Sequence, residues 1–145
     1  MTLLQDAIRF REAYNQEMQD GFVAGGFIKE QLFDLQQDLI VEESNEFFEA
    51  CADLFKDQNN RSNQAALLKE LADLVFVCYQ FAAAFGLDLD TAMRRVFESN
   101  MSKLGEDGKP IYRADGKVLK GPNYKRANVS DLIPETNPHY NPTGK

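Results

Sequence analysis

The chain has 145 residues, 43% of them apolar, which is the size and composition of one soluble globular domain. A domain of this length hides roughly 70% of the surface that its unfolded chain exposes, so neither disulfides nor a structural metal is needed for folding. The net charge of −7 argues against a general binder of nucleic acid polymers.

Thr2 and Gln5 form a capping-box pattern ahead of Leu4, Ile8, Arg11 and Ala13, which predicts a short first helix ending near Asp20-Gly21. Gly21, Gly25 and Gly26 then predict a flexible break. From about residue 27 to 56 the apolar positions Leu32, Leu35, Leu39, Phe47, Cys51, Leu54 and Phe55 recur at helical spacing, the mark of a long amphipathic helix. Residues 57–63 are polar and predict a loop. A third helix is expected over about residues 64–85. It is apolar on most faces between Val75 and Ala84, so it should lie centrally in a bundle or against a second copy of the chain. Gly86 terminates it.

Asp88 or Asp90 caps a fourth helix carrying Ala92, Met93, Val96, Phe97 and Met101, with an expected stop at Leu104-Gly105. Beyond it, Ala114-Asp115-Gly116 separates two short alternating segments, a hairpin signal. The tail from Ser130 holds Pro134, Pro138 and Pro142 and is expected to be extended or disordered. The fold class is therefore all-α, a four-to-five-helix bundle with a short C-terminal hairpin. Its expected parts are a helical domain over 1–104, a basic hairpin over 105–129 and the tail over 130–145. Charge follows this division: residues 1–102 carry a net −10, residues 103–126 a net +4 and residues 127–145 a net −1.

Cys51 and Cys78 sit in apolar helical stretches and are expected to be buried thiols. Residues 1–11 lack a signal-peptide pattern, and no stretch reaches the roughly 18 apolar residues of a membrane span. The expected setting is the cytoplasm, without a membrane partner.

The second helix carries Glu42-Glu43-Ser44-Asn45-Glu46, with Glu49 one turn on, and the third carries Glu70 and Asp73. Glu43 and Glu46 share a helix face, as do Glu70 and Asp73, and like charges so placed repel by a few tenths of a kcal/mol per pair. Asp73 lies in an apolar run, where an unpaired carboxylate would be costly to desolvate. Packed antiparallel, the two helices would bring Glu43, Glu46, Glu70 and Asp73 together, a set of hard oxygen ligands suited to Mg²⁺ or Mn²⁺. Glu42 and Glu49 are then candidates for a second metal or a water. Against this stands the simpler possibility of solvated acidic faces, which either pair alone would not displace.

Glu42-Glu43-x-x-Glu46, followed after a 23-residue spacer by Glu70-Leu71-Ala72-Asp73, resembles the EExxE and ExxD signature of the all-α nucleotide pyrophosphohydrolases. That superfamily includes MazG-like proteins, dimeric dUTPases and phosphoribosyl-ATP pyrophosphohydrolases. Ser99-Asn100-Met101-Ser102-Lys103 and the stretch from Ala114 to Pro122 are similar to the C-terminal portion of short phage and bacterial MazG-like proteins, so the resemblance spans roughly residues 28 to 129. It implies that Glu43, Glu46, Glu70 and Asp73 ligate Mg²⁺, with Mn²⁺ able to substitute. Glu42, with Glu43 and Glu46, would serve the attack of water by holding a further metal or orienting the water. It also implies that Asn100 and Lys103 reach the nucleotide and that Lys117, Lys120 and Tyr124 contact phosphate. The expected activity is Mg²⁺-dependent hydrolysis of a nucleoside triphosphate, ribo or deoxy, to monophosphate and pyrophosphate, by a homodimer or homotetramer.

Three alternatives carry weight. A phosphoribosyl-ATP or alarmone substrate would keep the fold and chemistry, and a non-enzymatic acidic helical adaptor would bind a basic partner without turnover. A di-iron bundle would need histidines on the acidic helices; the single histidine, His139, lies in the tail. Phe10, Tyr14 and Phe22 are candidates to stack on a base, with core packing the expected role.

Overall fold

The computed structural model describes residues 1–23 and 26–134. His139 and Gly25 lie outside the described residues, as does the tail after Pro134. Four α-helices are found among them: α1 (Leu3–Ala13), α2 (Glu30–Lys56), α3 (Arg61–Ala84) and α4 (Leu89–Met101), followed by a 3₁₀ turn, Ser130–Leu132. Packing divides the chain into two compact units, one of residues 1–87 with Pro134 and one of residues 88–133. The step in charge at residue 103 falls inside the second.

In the first unit the helix ends follow local hydrogen bonding. Thr2 Oγ1 accepts from Gln5 N–H at 3.2 Å and Gln5 Oε1 accepts from Thr2 N–H at 2.9 Å, the expected capping box. Contrary to expectation, α1 stops at Ala13, seven residues short of Asp20. Asn15 takes a φ of 52°, while Asn15 N–H donates to Glu12 O and Gln16 N–H to Arg11 O, a Schellman ending. The buried Arg11 guanidinium then holds the departing chain, donating from Nε and Nη2 to Glu17 O at 3.1 and 2.6 Å. Helix α3 begins earlier than expected, because Asn60 Oδ1 accepts from the N–H groups of Ser62 and Asn63 at 2.9 and 3.2 Å. The run of asparagines is thus a helix cap as much as a loop.

Only Asp57–Asn60 connect α2 to α3, and the two helices pack side by side, as so short a link between long helices requires. Helix α1 packs on α3 as well. The core gathers around Leu32, Ala84 and Phe85, with Phe22, Phe33, Phe81 and Leu87 against it. Phe81 and Phe85 pack with their rings tilted at 45° and centroids 5.2 Å apart, and Phe33 meets Phe81 edge-on at 5.4 Å. Phe22 lies against this core and half-buried Phe10 packs on Phe76 as expected, whereas Tyr14, in contact with Phe10, is exposed and not a core residue. Gln19 N–H and Gly21 N–H donate to Ala84 O and Phe85 O, satisfying carbonyls that the end of α3 leaves open. Cys51 and Cys78 are free thiols, both half-buried, and burial pushes the Cys78 thiol up.

Helix α3 is buried at its C-terminal end, at Val77, Tyr79, Gln80 and Ala82 to Ala84. Toward its N-terminus Leu68, Leu71, Val75 and Phe76 are exposed, as are Leu35, Val41, Phe48 and Phe55 on α2. No single helix among the described residues is long and apolar enough to cross a membrane.

In the second unit Asp88 caps α4, accepting from Thr91 N–H at 3.0 Å and Thr91 Oγ1 at 2.7 Å, which lowers its pKa. The helix ends at Met101 and continues to Leu104 only as turns, short of the expected stop. The hairpin closes by one antiparallel bridge between Tyr112 and Val118, around Asp115-Gly116. It returns to the helix end through Gly121 N–H, which donates to Lys103 O at 2.7 Å. A Cβ on Gly121 would stand 2.2 Å from Leu104 O, so only glycine allows this approach. The tail expected to be extended from Ser130 instead begins with the 3₁₀ turn, tied by Arg95 Nη2 donating to Asp131 Oδ2 at 3.0 Å.

Gly86, at φ 64°, ends α3 with its neighbour Leu87 donating to Ala82 O. A Cβ there would meet Gln19 O at 3.3 Å and Gly21 N at 3.4 Å. Gly86→Ala is expected to lower stability by about 1 to 2 kcal/mol, the cost of a side chain in the left-handed region. The measurement is the urea midpoint at unchanged slope.

Candidate functional site

Helical spacing sets Glu43 and Glu46 on one face of α2 and Glu70 on the facing side of α3. The short α2–α3 connection turns these faces together, so that one carboxylate oxygen from each of Glu43, Glu46 and Glu70 lies within 4.8 Å of the others. At that distance and an effective dielectric of about 20, each fully ionised pair repels by about 3 kcal/mol. Glu43 Oε2 and Glu70 Oε2 are also buried without a hydrogen-bond donor among the described residues. A buried carboxylate oxygen without a donor is costly, and a fold that holds two beside a third carboxylate needs a cation or a proton there.

The electrostatics show the same tension. Desolvation raises Glu43 from the ordinary 4.5 to about 7, helped by a hydrogen bond shared with Glu46 and by the charges of Glu46, Asp73 and Glu70. Three carboxylates with two orphaned oxygens fit a hard divalent cation, which takes oxygen ligands and leaves room for water and phosphate.

Asp73 departs from the expectation of an unpaired carboxylate in an apolar run. Its side chain is 37% exposed, and Oδ2 lies 2.7 Å from Lys69 Nζ, four residues earlier on the same face. Lys69 also reaches Glu70 Oε1 at 3.4 Å. Asp73 is therefore close enough to raise Glu43 but is not one of the three converging carboxylates. Lys69 did not figure in the acidic pattern; its signal was the spacing of four to Asp73. Glu42 and Glu49 are exposed and outside the trio.

The remaining candidates lie in the second unit. Asn100 and Lys117 are exposed, Lys103 is half-buried, and Lys120 Nζ stands 4.9 Å from the centroid of the Tyr124 ring, a cation–π contact. Lys117 N–H donates to Asp115 Oδ1 at 3.1 Å within the hairpin turn.

An all-helical chain that turns acidic helix faces toward each other has the architecture of a pyrophosphohydrolase, a hydrolase acting on acid anhydrides. The profile of the phosphoribosyl-ATP pyrophosphohydrolase family matches residues 23–100, more than half of the chain, and the chain belongs to that family, within the MazG-like nucleoside triphosphate pyrophosphohydrolase superfamily. No curated protein matches the chain closely enough to count as a relative. The match takes in α2, α3 and α4 as far as Asn100, and leaves α1 and the hairpin lysines outside it.

Because the fold favours protonated Glu43, the folded protein holds more protons than the unfolded chain between pH 4.5 and about 7. Its contribution to metal-free stability is therefore greatest below that window and is lost as pH rises through about 7. Thermal unfolding without divalent ions should show a steeper fall in Tm over this range for the parent than for Glu43→Gln. Added Mg²⁺ should raise the parent Tm by mass action and flatten its profile, and should do neither in the variant. Equal responses in the two proteins would place the ion elsewhere.

Proposed function

We propose that the protein is a Mg²⁺-dependent nucleoside triphosphate pyrophosphohydrolase, converting an NTP or dNTP to the monophosphate and pyrophosphate. The observation that carries the reading is the trio Glu43, Glu46 and Glu70 with two orphaned oxygens, in a chain of a pyrophosphohydrolase family. A divalent cation bound there supplies neutralising charge for the phosphate oxygens and lowers the pKa of water.

Glu43, Glu46 and Glu70 hold the ion, with Asp73 as a fourth carboxylate. Glu42, exposed on α2, orients a water whose oxygen bonds to one of the two phosphorus atoms flanking the α–β bridging oxygen. The bond from that phosphorus to the bridging oxygen breaks, giving monophosphate and pyrophosphate, and the water's proton passes to solvent. No nucleophilic side chain is required. Asn100, Lys103, Lys117, Lys120 and Tyr124 are assigned to the substrate, the lysines serving phosphate oxygens that carboxylates repel; the net charge of +4 over residues 103–126 supports this. The exposed apolar side chains of α2 and α3 support assembly as a homodimer or homotetramer, in the cytoplasm.

A second reading has support from the family match, whose description names phosphoribosyl-ATP. Both substrates present a 5′-triphosphate to the same site. The adaptor alternative has no such support.

The deciding experiment incubates the protein and Mg²⁺ with the common ribo- and deoxynucleoside triphosphates, phosphoribosyl-ATP and an alarmone, measuring pyrophosphate and monophosphate. Turnover of at least one NTP or dNTP is expected, and turnover of phosphoribosyl-ATP alone would shift the assignment to the second reading. Asp73→Asn and Glu43→Gln should each lose more than the roughly 10- to 100-fold typical of an outer-shell change, with the helical circular dichroism retained. Near-parental pyrophosphate release by either variant would remove that residue from the site.

Lys103→Ala and Lys117→Ala are expected to raise KM while leaving Mg²⁺ binding unchanged. Parental kinetics in both would mean that the phosphates are held without the basic segment.

A further inference from the structure

Lys69 stands apart from the residues so far given a role. Its side chain is 66% exposed, yet its ammonium is spent on two carboxylates, lying 2.7 Å from Asp73 Oδ2 and 3.4 Å from Glu70 Oε1. The two oxygens of Glu70 differ in consequence: Oε1 faces Lys69, while Oε2 is buried without a donor among the described residues, and one of the pair lies within 4.8 Å of the Glu43 and Glu46 oxygens. Asp73 Oδ2 faces Lys69, and Asp73 is not one of the three converging carboxylates.

We propose that Lys69 is a substrate-binding residue held in reserve, its ammonium neutralising Glu70 and Asp73 until a divalent cation takes those carboxylates and frees it for a phosphate oxygen. The inference rests on the function proposed above and adds to it a residue and an order of events.

The argument is one of competing cations. A carboxylate oxygen that donates its electron pairs to a small divalent ion at about 2.1 Å offers less to an ammonium, so the gain of one contact weakens the other. Lys69 loses little when displaced, because an exposed ion pair is a weak one. Once released it remains tethered beside the carboxylates at the solvent edge, with three donors and a flexible stem. A nucleoside triphosphate carries more negative charge than one divalent ion cancels. A compact cation next to the ion is suited to the excess, and its contact to phosphate is charge-assisted.

The two halves of the exchange predict opposite effects of one substitution. Lys69→Met keeps the stem and removes the charge at an exposed position, so folding is not at issue. Calorimetric titration of the metal-free variant with Mg²⁺ alone should show binding about two- to fivefold tighter than in the parent, since no ammonium has to be displaced. Titration of the Mg²⁺-loaded proteins with inorganic triphosphate should show binding weakened about tenfold in Lys69→Met and largely restored in Lys69→Arg. Mg²⁺ affinity unchanged or weaker in Lys69→Met, or undiminished triphosphate binding, would overturn the proposal. Neither titration depends on turnover, so an absence of nucleotide hydrolysis by the parent would count against the proposed function and not against the exchange.

Discussion

Like charges forced together by helix packing are the constraint on which this protein's structure turns. Three carboxylate oxygens within 4.8 Å oppose the pairing of α2 with α3, and the pairing persists because burial at the other end of α3 outweighs them. The aromatic cluster of Phe22, Phe33, Phe81 and Phe85, closed over Leu32 and the small Ala82 to Ala84, holds the two helices in register. A hydrophobic contact at one end thus stores the electrostatic tension at the other. Such a site is organised before its ligand arrives, which is what makes stabilisation by fixed charges effective in catalysis.

The same division of labour governs the polar groups. Arg11, Gln19 and Gln80 are buried, yet each has hydrogen-bond partners: Arg11 on Glu17 O and Gln80 Oε1, Gln80 Nε2 on Ala7 O, and Gln19 Nε2 on Gly21 O and Phe22 O. They fasten the segment after α1 to the end of α3. Among the described residues Gln19 Oε1, Gln36 Oε1, Glu43 Oε2 and Glu70 Oε2 are buried without a donor, and of these only the two glutamate oxygens belong to carboxylates. A bare carboxylate costs more to bury than a bare amide, so two of them beside a third carboxylate are reserved for something outside the protein.

Membership of a pyrophosphohydrolase family gives that reservation a chemical meaning. Cleavage of a phosphoanhydride asks for charge neutralisation and position more than for a nucleophile, and the described residues are arranged accordingly. Lys69 refines the picture, because a cation built into the chain already occupies the outer side of the carboxylates. Electroneutrality in the empty and loaded site would then be kept by exchanging one cation for another.

Much of this was legible along the chain. The helical spacing of apolar residues marked α2 and α3, Gly86 marked the end of α3, and the capping box of Thr2 and Gln5 the start of α1. These signals are local, carried by residues within a turn or two of each other, and local physics suffices to read them. The paired spacing of Glu43 with Glu46 and of Glu70 with Asp73 likewise marked the acidic faces, because side-chain direction in a helix follows from position alone. What the sequence could not decide was which carboxylates meet and which find another partner. Glu43, Glu46 and Glu70 converge while Asp73 stays outside the trio, and Arg11 is buried with its guanidinium on Gln80 Oε1 of α3 as well as on Glu17 O. Those outcomes depend on distances between elements and on burial, which exist only once the helices have packed.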